Sequence, residues 1–150
     1  MSQTKRRIEN KGFTQLEQAD AGAAGIYPGM LLEVNSDGDV VAHASEAGYA
    51  ERLFALEDAL QGNTVDDVYT SGEVVQVLMP VQGTTVNALC AGGYTYAIGT
   101  ELVSDGLGKL MPITELASPD TAEDVVAICQ EAAVLEGSAD ADTLLAVRVR

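Results

Sequence analysis

The chain has 150 residues, 47% hydrophobic and 21% charged, with 23 acidic against 8 basic side chains and a net charge of −15 at pH 7. That much apolar material in one domain's length excludes wholesale disorder, no apolar run reaches the roughly 20 residues that cross a bilayer as a helix, and the acidity opposes nucleic-acid binding, whose affinity comes from neutralised phosphates. The first residues carry basic side chains without the apolar stretch of a signal peptide, so a soluble protein made in the cytoplasm is expected, with no membrane and no nucleic-acid partner.

In chain order, Lys5, Arg6, Arg7 and Lys11 supply half of all the basic residues. Ile8, Phe13 and Leu16 are the large apolar side chains among them. Residues 1–24 read as a flexible basic arm on an acidic body, 25–150, with charges for steering and apolar anchors that order on a partner. Lys5, Arg6, Arg7, Ile8, Lys11, Phe13 and Leu16 are therefore the candidate binding residues, and the core of the body is expected to need none of them.

From Leu31 to Val34 and from Val40 to Ala42 run two β-type segments flanking Asn35-Ser36-Asp37-Gly38, the signature of a hairpin. Ser45 is expected to cap a helical turn or two through Glu46 to Leu53. The β-branched run Glu73 to Met79 lies between Ser71-Gly72 and Pro80 and reads as a strand. Pro119 to Asp124 starts a single helical turn, and Leu144 to Arg150 alternates as a closing strand. Fifteen glycines punctuate these short runs, so the domain is predicted mainly β with minor helix.

An internal repeat is visible over about residues 25–80 and 92–150. The entry at Gly29 and its Ser36-Asp37-Gly38 turn return as Gly99 and Ser104-Asp105-Gly106, and Phe54-Ala55-Leu56 returns as Val126-Ala127-Ile128. Two similar units are predicted, with Asp37-Gly38 and Asp105-Gly106 at matching turns. Leu78, Met79, Leu89, Leu107 and Met111 exceed what two small barrels need inside, which predicts an apolar patch closed by self-association.

Residues with chemistry are sparse. His43 is the one histidine, expected as an ordinary, partly exposed strand residue, with no histidine cluster for a metal. Cys90 and Cys129 sit in apolar runs and are expected to be buried thiols. Asn35, Asp37, Asp39 and Glu46 fall on part of a calcium-loop spacing, but Val40 stands where that loop turns on glycine, so a plain turn is expected. No catalytic residue, cofactor site or metal site is predicted, and the chain is expected not to be an enzyme.

The glycine-led entries, the two Ser-Asp-Gly turns, the Phe54-Ala-Leu56 and Val126-Ala-Ile128 strands, the Ala132-Ala133-x-x-x-Gly137 turn and the terminal Val147-x-Val149 strand together resemble the capsid decoration, or cement, proteins of tailed bacteriophages. The resemblance implies a compact β-barrel or β-tulip without catalysis, a homo-oligomer that is most often a trimer, and a place on the outer capsid surface of the virion. It also implies binding to the phage major capsid protein, whose lattice the bound copies stabilise, with an extended N-terminal arm joining a capsid sheet. The alternative reading is a small β-domain for surface adhesion or ligand binding. That class favours exposed aromatic platforms, and here there are five Tyr, two Phe and no Trp.

Overall fold

The structure, a computed structural model, describes residues 3–137 and 141–150. Met1 and Ser2 of the expected arm, and residues 138–140 of the second repeat, lie outside the described residues. Thirteen strands are described: β1 (Glu9–Lys11), β2 (Thr14–Asp20), β3 (Leu31–Val34), β4 (Val40–Ala42), β5 (Leu53–Leu56), β6 (Val74–Pro80), β7 (Thr85–Cys90), β8 (Thr95–Tyr96), β9 (Glu101–Ser104), β10 (Leu110–Pro112), β11 (Ala127–Cys129), β12 (Ala133–Val134) and β13 (Thr143–Val149). The only helical pieces among the described residues are three 3-10 turns, including one at Pro119–Thr121 where a single turn was expected. The protein is mainly β.

The repeat is carried by topology. The first half pairs its strands in the order β2-β6-β5-β3-β4, and a single parallel bridge from Ala21 to Val40 joins the two ends. In the second half β7 pairs with β13, β13 with β11, β11 with β9, β9 with β10, and β10 returns to β7 through the parallel pair Leu110–Cys90, closing a five-stranded barrel. The two closures match group for group: Gly22 N–H donates to the Val40 carbonyl (2.9 Å) and Ala91 N–H to that of Leu110 (2.9 Å). Gly29 N–H reaches Ala55 O (2.7 Å) and Gly99 N–H reaches Cys129 O (2.8 Å).

The hairpin turns match too, but in a register shifted from the expected one. Asn35 Oδ1 accepts from the N–H groups of Asp37 (2.9 Å) and Asp39 (3.0 Å), and Asp105 Oδ1 accepts from Leu107 (2.8 Å) and Lys109 (2.9 Å). The equivalent positions are therefore Asn35 with Asp105, and Gly38 (φ +87°) with Gly108 (φ +80°), rather than Asp37-Gly38 with Asp105-Gly106. A side-chain oxygen that closes the turn fixes the register more strongly than shared letters do. For the same reason Phe54, paired with Leu31, corresponds to Ile128, paired with Glu101, and not to Val126. Asn35 is spent on this turn, so the partial calcium-loop spacing is a hairpin.

Two further expectations change. No helix follows Ser45: residues 44–52 form turns and irregular chain, with Ala47 at φ +51°, before β5 begins. Residues 9–20 are two strands on the body rather than a flexible arm, β1 pairing with β7 and all of β2 with β6. Ile8 is fully buried, so the expectation that the core needs none of the N-terminal residues fails at that residue.

One apolar core runs through both halves, from Leu31, Leu32, Phe54, Val77 and Leu78 to Val86, Leu102, Leu110, Leu144 and Val147. Leu78, Leu89 and Met111 are inside the fold and Met79 is partly covered, so of the supposed surplus only Leu107 is exposed. Backbone bonds from Leu31 to Gly108, from Gly108 to His43 and from Leu89 to Gly29 sew the halves together. Gly29 has φ +91°, and a Cβ there would collide with Leu144 and stand 3.1 Å from the Leu89 amide, so a side chain is excluded where the halves touch.

Candidate functional site

The N-terminal residues divide into those that build the fold and those that face outward. The Lys5 ammonium lies 2.8 Å from Glu131. Burial pushes the Glu131 carboxyl up, but Lys5 and the Ala146 N–H outweigh it and hold the group below the usual carboxylate range. Arg6 pairs with Asp66 (3.0 Å). The Ile8 side chain is in the core, its N–H donates to Glu57 (3.2 Å) and its carbonyl accepts from the Asn87 N–H (2.8 Å). Asn87 Nδ2 donates to the Arg7 carbonyl (2.8 Å), so one asparagine fastens two consecutive residues.

Arg7, Lys11, Phe13 and Leu16 are exposed, and neither Arg7 nor Lys11 has an ion pair among the described residues. Phe13 is 84% exposed; its carbonyl accepts from Val81 N–H (3.0 Å) and from Thr84 Oγ1 (2.9 Å). Val81, itself 57% exposed, thereby stands beside Phe13 as a small apolar surface. Leu16 is three positions further along extended chain, so its side chain leaves on the opposite face from Phe13. The seven candidates thus do not form one site: Lys5, Arg6 and Ile8 are structural, Arg7, Lys11 and Phe13 face outward, and Leu16 belongs to the β2 edge.

His43 is buried rather than partly exposed. Its Nε2–H donates to the Tyr49 carbonyl (3.0 Å), so Nδ1 is the acceptor for the Ser104 hydroxyl (2.7 Å), and Ser104 Oγ accepts in turn from Gly106 N–H (3.1 Å). This chain joins the first half to the β9–β10 turn of the second. Ser104 has no exposed surface, so the pair is a strut between halves rather than a nucleophile and its base.

A second strut escaped sequence reading. Arg52 grips Asp124 through Nη1 (2.6 Å) and Nη2 (2.8 Å) and also donates to the carbonyls of Arg150, Val125 and Ala50. The Arg52 hydrogen bonds hold the Asp124 carboxyl below its ordinary range. Tyr96, also buried, donates its hydroxyl to the carbonyls of Ala91 (2.7 Å) and Leu110 (3.1 Å), where the second barrel closes. Cys90 and Cys129 are buried and unbridged, and burial pushes both thiols up, away from the nucleophilic thiolate.

This architecture defines a class: two tandem five-stranded units of one topology, fused through a common core. Over 92% of its length the chain superposes on 95% of the head fiber gp8.5 N base in bacteriophage phi29, with a TM-score of 0.57 and 15% sequence identity. At that identity the likeness establishes a shared fold. No protein-family model matches the sequence, and no curated protein matches it either.

Proposed function

We propose that the chain is a structural protein of a phage virion that decorates the outer capsid surface and stabilises the lattice of the major capsid protein. The observation that carries the reading is the fold shared over nearly the whole chain with the base of a phage head fiber. The cement-protein resemblance of the sequence points the same way. The mechanism is physical and non-enzymatic: a protein that binds several neighbouring subunits of the mature shell, and not the dissociated subunits, adds its binding free energy to the shell.

Arg7, Lys11 and the Phe13–Val81 surface are the docking candidates. Two cations without an ion pair among the described residues, on a chain of net charge −15, steer approach to an acidic surface, and a solvent-facing aromatic supplies the apolar anchor. The remaining acidity keeps decorated particles apart in solution. Copies associate with one another as well, but not through Leu78, Leu89 or Met111, which are used inside the chain.

The test uses mature capsids lacking this chain, heated with and without the purified protein, with shell rupture followed by release of DNA. A higher rupture temperature in the presence of protein is expected. Rupture at an unchanged temperature with saturating protein overturns the stabilising role.

A further inference from the structure

The two halves have the same strand order but differ at one edge. In the second half the edge of β7 away from β13 is covered: β1 pairs with it at Thr85 and Val86, and Leu89 N–H donates to Gly29 O. By the shared topology, Leu16 and Glu17 of β2 occupy the places of Thr85 and Val86. Among the described residues no strand pairs with the corresponding edge of β2, whose far end alone is bridged through Ala21.

That edge is long and regular. All seven residues of β2 pair with β6 in unbroken register, so there is no bulge. The strand Thr14-Gln-Leu-Glu-Gln-Ala-Asp20 contains no proline and no lysine, the usual devices that keep an exposed edge from pairing. Ala21 N–H and the Phe13 carbonyl point at β6. By alternation Gln15, Glu17 and Ala19 also bond β6, and the backbone groups of Thr14, Leu16 and Gln18 point outward. Beside them Leu16 is 58% exposed.

We propose that the free edge of β2 is a self-association site, at which two copies of the chain pair their β2 strands antiparallel about a two-fold axis through Leu16. The sequence of the strand selects this occupant and this register. Leu16 lies against Leu16 of the other copy, covering the apolar side chain left in solvent, and Thr14 lies opposite Gln18, each pair exchanging backbone bonds. Glu17 then faces Gln15, so no two carboxylates stand directly opposite each other along the paired strands. An axis through Glu17 would also bring outward-pointing groups together, but it would set two carboxylates directly against each other. The contact is isologous and closes at two copies, leaving Phe13 on the other face of the strand.

Sedimentation velocity of the full chain at micromolar concentrations is expected to show a dimer. Gln18→Pro removes an outward-pointing donor and leaves the β6 ladder intact, and Leu16→Lys puts like charges on the axis; each is expected to lower the association constant at least about tenfold without changing the thermal melt. Leu16→Lys keeps the test decisive if the proline variant misfolds. Leu16→Cys is expected to cross-link copies at position 16 on oxidation, since directly paired residues across such a seam are within disulfide reach. A monomeric wild type, or an oligomer of any size that Leu16→Lys leaves intact and Leu16→Cys does not cross-link, overturns the proposal.

Discussion

His43 illustrates how much a single residue depends on partners far away in sequence. Its ring nitrogens are both used, one on Ser104 and one on the Tyr49 carbonyl, and the ring is buried where the halves meet. Replacing it with alanine leaves a buried hydroxyl and a carbonyl unpaired beside a cavity. His43→Ala is expected to lower stability by about 2–4 kcal/mol in denaturant unfolding, more than a partly exposed residue would. Asp124 makes a different prediction, about pH. Its folded-state pKa is depressed, chiefly by the Arg52 hydrogen bonds, so it contributes stability that is fully present above the unfolded value near 4 and is lost as pH falls through the lower folded value. Melting temperatures of wild type and Asp124→Asn measured from neutral to acid pH are expected to converge below that window; a constant gap would exclude the carboxylate as the cause.

Among the elements, those with local signals were legible in the sequence and those made by long-range pairing were not. The β3–β4 hairpin spans Leu31–Val34 and Val40–Ala42 as its composition indicates, because an Asn-x-x-Gly turn is closed by its own side chain. The β6 and β13 strands follow from β-branched runs between turn residues. β2 offered no such signal: its polar, mostly exposed residues look like a solvated arm, and only pairing with β6 makes them a strand. The same holds for Ile8, whose burial no neighbour in sequence announces, and for Arg52 and Asp124, brought together across the chain. Removal of residues 1–11 should therefore destabilise the fold by at least about 2–5 kcal/mol, the range for truncating one buried Ile alone, and Ile8→Ala should account for much of it. Unchanged unfolding of the truncated chain would show that β1 and Ile8 are dispensable.

At the scale of the molecule, duplication explains both the likeness and the difference of the halves. Equivalent glycines, turn-closing oxygens and closing bridges recur, whereas the surfaces have diverged: Phe54 of β5 is buried against the shared core, but its counterpart Ile128 lies in a partly exposed strand position flanked by Arg148 and Glu101. The sequence made the repeat visible, and the hydrogen bonds decided its register. Arg7 and Lys11 stand on the surface of this doubly built β body without ion pairs among the described residues, and the central proposal is that the chain attaches to a phage capsid lattice. Cryo-electron microscopy of mature capsids lacking this chain, imaged after mixing with an excess of it, tests that claim most directly. Added density of this fold is expected at regular positions on the outer surface, with Arg7, Lys11 and Phe13 turned toward the shell; capsids that stay bare under saturating protein would contradict a capsid role.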